Sequence, residues 1–586
     1  MTAPPVHRGG RRSTYDKRPV VAVGPADECT LGWPAIAARI LATGARVIAV
    51  EAYDGVRESD LRRLAAALRA DVVVRAGEAF LPEDAIDALL QPTLTDDPVF
   101  GRISARPLAD LFDPAHLAAL RARVAAAAGR VVVYGVGATL IAAGDVLVYA
   151  DLARWEIQQR QRRGEAASLG SSRADARPAV KYKRGYFVDW RLCDRQKRAL
   201  LPRLDFLLDT TDEAEPRLVG GEALRRGLRL AARRPLRVVP FFDPAPWGGR
   251  WMQEVCDLPP ATASYGWCFD CVPEENALLL GFGARRIEIP AIDLVFAEPE
   301  ALLGPRTRTR FGDEFPIRFD FLDTVGGGNL SLQVHPQTAY MREHFGVPYT
   351  QDESYYLLDA EADAYVYLGL RTGVDPAAML ADLRAARGGG PPFPAERYVN
   401  RFPAARHDHF LIPAGTVHGA GAGSLVLEIS ATPYIFTFKL WDWGRLGLDG
   451  RPRPVHLDHG ARNIRFERAT AYARARLINR ITPLGAGDGW TAERTGLHEA
   501  EFIETHRHWF TGRVPHDTGG EVQVLNLVEG EEAVVESPDR AFRPFVVHYA
   551  ETFIVPGAVG PYTIRPSGPE AAARHGTIKA FVRFPG

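Results

Sequence analysis

The chain has 586 residues, several times the ~100–200 of one domain, so separate cores on the order of three or four are expected. Hydrophobic residues make up 46% and charged residues 24%, as in ordinary globular proteins, and a net charge of -1 offers no overall attraction for nucleic acid or anionic membrane. A small molecule is the expected partner. No stretch approaches the ~18 apolar residues of a membrane span. The polar opening MTAPPVHRGGRRSTYDKR lacks the apolar core of a signal peptide and reads as a disordered tail over residues 1–17. Cys29, Cys193, Cys256, Cys268 and Cys271 are too few and too scattered for a disulfide framework, which points to a reducing cytoplasm.

From about residue 18 to 230, apolar runs at Val20–Val23, Arg46–Val50, Asp71–Val74, Val131–Tyr134 and Val146–Tyr149 alternate with helix-like segments such as Trp33–Leu41 and Asp60–Leu68. This rhythm predicts an α/β domain with a largely parallel sheet. Gly24 to Trp33 follows the first predicted strand, where a phosphate-cradling loop would sit, but it has no Lys-Ser/Thr pair to bind phosphate and magnesium. Gly135-Val136-Gly137 is read as a tight turn. TDDPVFGR, VVVYGVGATL, DVLVYADLARWEIQQRQRR and KRGYFVDWRLCDRQKR resemble P-loop uridine-kinase-like proteins, which implies a degenerate kinase scaffold without its phosphate loop. Lys181, Lys183, Arg184, Arg191, Arg195, Lys197 and Arg198 form a basic cluster that is either a solvated face or a site for a nucleotide or other anion.

Beyond Pro235 short alternating strands punctuated by Gly and Pro predict β-barrels or sandwiches. A helical insertion is expected at about residues 374–395, around Pro376–Ala386. A boundary near 465 separates residues 235–465 from a second barrel, 466–586, which lacks a paired-histidine motif and is expected to be metal-free. Cys268-Phe-Asp-Cys271 has CxxC spacing but no further ligands at suitable spacing for structural zinc.

In Ser331-Leu332-Gln333-Val334-His335-Pro336 strand alternation puts Gln333 and His335 on one face. Glu353 opens the strand-like Glu353–Leu358, and His418 ends the turn Ile412–His418. Such nitrogen and oxygen donors suit zinc or another divalent first-row metal. His344, His407 and His409 are read as surface or satisfied histidines.

The segments FPIRFDFLDTVGGGNLSLQVHP, ESYYLLDAEADAYVYLGL, HFLIPAGTVHGAGAGSLVLEIS and FKLWDWGRLGLDGRPRPVHLD, with PAPWGGRWM before them, resemble the class I mannose-6-phosphate isomerases over about residues 235–586. The resemblance implies cupin-type barrels, a zinc ion on Gln333, His335, Glu353 and His418, and transfer of a proton between C1 and C2 of a hexose phosphate through a cis-enediol. It implies a catalytic role for Arg445, an acid or relay role for Glu428, and phosphate contact for Ser331. The family usually has lysine two residues before the glutamate ligand. Here that residue is Gln351, and Lys439, one of six lysines in an arginine-rich chain, is the candidate to supply the displaced charge.

The expected function is therefore a metal-dependent aldose–ketose isomerase interconverting mannose 6-phosphate and fructose 6-phosphate. An isomerase of another sugar and a non-catalytic sugar-phosphate sensor are the alternatives.

Overall fold

The structure, a computed structural model, describes residues 13–584. In the N-terminal part the strands are β1 (Val20–Gly24), β2 (Cys29–Leu31), β3 (Val47–Ala52), β4 (Val72–Arg75), β5 (Val131–Gly135), β6 (Val146–Asp151), β7 (Phe206–Asp209) and β8 (Arg217–Gly220). Seven of them form one sheet in the order β2-β8-β7-β6-β3-β5-β4. Strands β3 to β7 are parallel, and β8 and then β2 close one edge antiparallel. The valine-rich β3, β5 and β6 are buried at every position, as strands with helices on both faces must be. Trp33–Leu41 and Glu58–Ala67 cover one face with Trp33, Ile36, Ile40, Leu61 and Leu64.

Three expectations need correction. Strand β1 is not in this sheet: it pairs in parallel with Ala277–Phe282, far along the chain. Its alternating exposure, with Val20 outside and Val21 inside, is that of a strand covered on one face only, which parallel-sheet strands are not. The segment after it, expected at a phosphate-loop position, instead makes the sheet-edge strand β2 against β8. Residues 13–17 of the expected tail are ordered: Tyr15 is buried and donates its hydroxyl to Asp270 at 2.5 Å, and Ser13 bonds the Val255 carbonyl. Residues 1–12 lie outside the described residues.

The third correction concerns the basic cluster, which is for the most part buried or half-buried, with Arg198 exposed, rather than a solvated face. Lys181 is buried and spends its ammonium on the carbonyls of Gln161, Ala166 and Ala174. Arg184 is held by Asp189 and the Leu169 carbonyl. Lys197, 1% exposed, sits 2.8 Å from Asp151 of β6 and 2.9 Å from Asp293 of the helix Ile292–Ala297. It joins the α/β layer to the β-rich half. A continuous apolar core does the same, with Phe100 packed against Phe345, Phe436 and Phe438.

The following strands are β9 (Phe241–Asp243), β10 (Trp267–Cys271), β11 (Ala277–Phe282), β12 (Arg285–Pro290), β13 (Ile317–Asp323), β14 (Leu332–Val334), β15 (Glu353–Ala360), β16 (Tyr365–Leu370), β17 (Val399–Pro403), β18 (His409–Ile412), β19 (His418–Ala420), β20 (Ser424–Ala431) and β21 (Phe438–Trp441). Two antiparallel sheets, β18-β15-β20-β13-β10-β9 and β17-β16-β19-β14-β21, enclose a core that includes Trp247, Leu322, Tyr355, Leu357, Val366, Leu368 and Val426. The inserted helix is Pro376–Arg387, begun by Asp375, whose side chain accepts from the Ala377 amide ahead of Pro376 at the first helical position. Cys268 and Cys271 are free and buried on β10. Past residue 480 a six-stranded and a four-stranded sheet close over Phe510, Leu525, Leu527, Val535 and Tyr562.

Candidate metal centre

Inside the first barrel one sheet supplies a carboxylate and the other supplies the nitrogen donors. Glu353 opens β15, Gln333 lies on β14, His335 just beyond its end, and His418 opens β19. Gln333 and His418 are direct cross-strand partners, so their side chains leave the sheet on the same face. The turn before His418 is held to the same site, because the Gly415 amide donates to the His335 carbonyl at 2.9 Å. Gly415 has φ 91°, and a Cβ there would meet the Asn463 carbonyl oxygen at 2.9 Å, so the turn requires glycine.

The ligand atoms converge. His335 Nε2 lies 3.0 Å from Glu353 Oε2, and His418 Nε2 lies 2.8 Å from Glu353 Oε1. One donor atom from each of these three buried residues falls within 4.8 Å of the others. The Gln333 amide is 3.2 Å from His418 Nε2, and a rotation of that amide would present its oxygen instead. Each imidazole faces a carbonyl through Nδ1, His418 that of Thr416 at 2.9 Å and His335 that of Phe436 at 3.3 Å. That places the proton on Nδ1 and leaves the Nε2 lone pair free, the arrangement of a metal-ligating histidine. Burial raises the Glu353 carboxyl, and with both rings protonated the charges on His335 and His418 outweigh it and hold it well below the usual carboxylate range. His335 Nε2 and Glu353 Oε1 are buried without a hydrogen bond. A donor set of two imidazoles, a carboxylate and an amide oxygen fits a divalent first-row ion.

Around this centre lie four residues that motif reading passed over or left open. Arg318 and Asp320 alternate on β13 and so share the inward face; Arg318 reaches Asp320 at 3.0 Å and Glu428 at 3.0 Å. Two charged residues two apart among the apolar residues Ile317, Phe319, Phe321 and Leu322 were the available signal. Gln351, 2% exposed, donates to Glu353 Oε2 at 3.2 Å and to Glu428 Oε1 at 3.3 Å. Its neutral amide therefore ties the Glu353 carboxylate to the neighbouring acid. Glu428 stands opposite Tyr355 and Asp320 across the sheet. Burial first, then the Asp320 and Glu353 charges, push its carboxyl well above the ordinary range, as suits a proton carrier.

Lys439 on β21 is the direct cross-strand partner of Gln333, so it shares the ligand face. Burial, then the Arg453 and Arg445 charges, bring its ammonium down to about 8. Arg445 lies in the loop after β21, with its Nη2 2.5 Å from Asp442, which also pairs with Arg453. The Ser331 hydroxyl is buried without a hydrogen-bond partner. Of the other histidines, His344 is partly exposed and His407 bonds Tyr356 and Glu529. His409 departs from expectation: it is wholly buried, and neither ring nitrogen has a hydrogen-bond partner.

Residues 32–233 match a family model described as a domain of unknown function (DUF8485). The chain is 26% identical over 214 residues to a mannose-6-phosphate isomerase of Streptococcus mutans, a match covering 36% of this chain and 62% of the relative. It is 30% identical over 148 residues to the mannose-6-phosphate isomerase ManA of Bacillus subtilis, covering 25% and 43%. Over part of its length, then, the chain is similar to mannose-6-phosphate isomerases. It spans less than two thirds of either relative. The solved mannose 6-phosphate isomerase of Bacillus subtilis aligns with 59% of this chain and 99% of its own, at 19% identity and a TM-score of 0.49. No helix among the described residues is long and apolar enough to cross a membrane.

Proposed function

We propose that the protein is a divalent-metal-dependent aldose–ketose isomerase whose substrate is mannose 6-phosphate or a close relative. The observation that carries this reading is the convergence of His335, Glu353 and His418 at the inner face of the first barrel, with Gln333 as a further donor and Lys439 beside it. Partial similarity to named mannose-6-phosphate isomerases supports the same chemistry. A zinc or similar ion held by Gln333, His335, Glu353 and His418 would polarise substrate oxygen and stabilise enediolate charge.

The chain's own groups do the rest. Glu428, with its proton affinity raised, takes and returns the proton that moves between C1 and C2, and Arg318, Ser430 and Gln351 hold its carboxylate in place. Lys439 supplies positive charge beside Gln333. Arg445, fixed on Asp442, and Ser331 are assigned to the substrate's anionic groups, for which arginine's permanent charge is suited.

The test is an isomerase assay on metal-analysed protein. The wild type should carry about one divalent ion per chain and interconvert mannose 6-phosphate and fructose 6-phosphate. Chelation and H418A should each abolish turnover and lower the metal content. Turnover that survives both refutes the reading, and hexose-phosphate binding without proton exchange at C2 would favour a sensor.

A further inference from the structure

The α/β layer and the first barrel enclose a cavity of about 260 Å³ that the isomerase reading leaves unused. We propose that it is a second ligand site, built to hold a small phosphate monoester. From the α/β layer it is lined by Arg154, which begins the helix Arg154–Arg162, and by Arg191, Arg195 and Arg198 of the helix Trp190–Leu200; Glu274 and Tyr434 line it from the barrel side.

Four arginines and four acids, Asp194, Glu274, Asp313 and Glu314, line the cavity, but only two of the arginines are in ion pairs. Arg154 pairs with Asp194 at 2.5 Å and Arg198 with Asp313 at 2.5 Å. Arg191 and Arg195 have only carbonyls, those of Tyr186 for the first and of Ser104 and Arg106 for the second. Neither guanidinium has a carboxylate within 4.0 Å among the described residues; Glu314, which lines the same cavity, accepts instead from the Tyr349 hydroxyl at 2.7 Å. Unspent donors point the same way. Arg154 is 2% exposed, yet its Nε and Nη1 make no hydrogen bond, and the Nε of Arg195 makes none either. Buried guanidinium N–H groups are costly to leave unpaired, and their forked geometry matches phosphate oxygens.

Glu274, 7% exposed, has one oxygen without a partner. Burial pushes its carboxyl up to about 7, so near neutrality it can be protonated and donate to an anion rather than repel it. Tyr186, Tyr349 and Tyr434 give the cavity an aromatic rim for the carbon part of the ligand. The volume lies just under the ~300–1,000 Å³ of typical ligand pockets, which favours a small metabolite over a dinucleotide. The site also touches the metal centre's surroundings: the Arg318 guanidinium that holds Glu428 lies 4.9 Å over the Tyr434 ring.

The experiment is calorimetric titration of the full-length, metal-stripped H418A protein, with R445Q added so that the anion contact assigned to the isomerase site is also removed, using inorganic phosphate, glycerol 3-phosphate and uncharged glycerol. Failure of the isomerase reading leaves this measurement intact. Saturable binding of glycerol 3-phosphate, weaker binding of inorganic phosphate and none of glycerol are expected. Adding R154M or R191Q should weaken binding at least tenfold. R191Q guards against misfolding, because Arg191 donates only to the Tyr186 carbonyl and stacks on that ring, and its thermal midpoint should match the parent. No phosphate binding to H418A/R445Q, or equal binding after R154M and R191Q, overturns the proposal.

Discussion

Lys439 and Gln333 stand directly opposite one another on adjacent antiparallel strands, and His418 stands opposite Gln333 on the other side. Three side chains in a row across β21, β14 and β19 therefore leave the same face of the sheet. A cation is thus built into the candidate metal face from a strand that carries none of the proposed ligands. K439M should lower kcat/KM at least tenfold with metal content unchanged, while K439R, which keeps the charge, should recover part of the loss. Equal activity of K439M and wild type in a coupled isomerase assay would remove Lys439 from the site.

Gln351 joins Glu353 to Glu428 by one amide group. Its replacement by leucine leaves the buried Glu353 carboxylate and the Glu428 carboxyl without a shared donor. The cost expected for hydrogen bonds to charged groups is about 1.5–3 kcal/mol. Q351L should therefore lower the unfolding free energy by about that amount in denaturant titration and weaken metal retention on dialysis. Q351E, which adds a third carboxylate, should be worse on both measures.

Lys197 holds Asp151 and Asp293, both buried, across the contact between the α/β layer and the barrel. Breaking a buried pair by removing one partner costs about 3–5 kcal/mol, because the surviving charges are stranded. K197M is expected to lose about that much stability by chemical denaturation. The triple variant K197M/D151N/D293N should recover most of it, which a purely steric role for the lysine would not produce.

His409 is buried without hydrogen-bond partners, and its imidazole is brought down to about 3, chiefly by burial and then by the Arg507 charge. A histidine with a depressed folded-state value leaves stability unchanged above its unfolded value of about 6.5. As pH falls below that value the unfolded state takes the proton first, so the folded state loses roughly 1.4 kcal/mol per pH unit until the folded value near 3 is reached. The difference in thermal midpoint between pH 7 and pH 5 should accordingly be smaller in H409Q than in wild type. An identical difference in both proteins would show that His409 does not titrate between the two states.

Strand alternation alone put Gln333 and His335 on one face, because period-two side-chain direction is a local property of the sequence, whereas Glu353 and His418 were joined to them only through the resemblance to the isomerase family. Alternating β and α segments likewise announced a parallel sheet, since strands buried on both faces must be apolar along their whole length. Only the tertiary structure decided where β1 belongs, because a short valine run pairs equally well with a neighbouring strand or with one more than 250 residues away. It alone turned the basic cluster into buried ion pairs and a cavity wall, since a cation's role depends on which acids and carbonyls the fold brings to it. The opposition of Lys439 to Gln333, and the bridge from Gln351 to Glu428, are of the same kind. Cross-strand register sets both, and register is fixed by the packing of the whole barrel rather than by any segment of the chain.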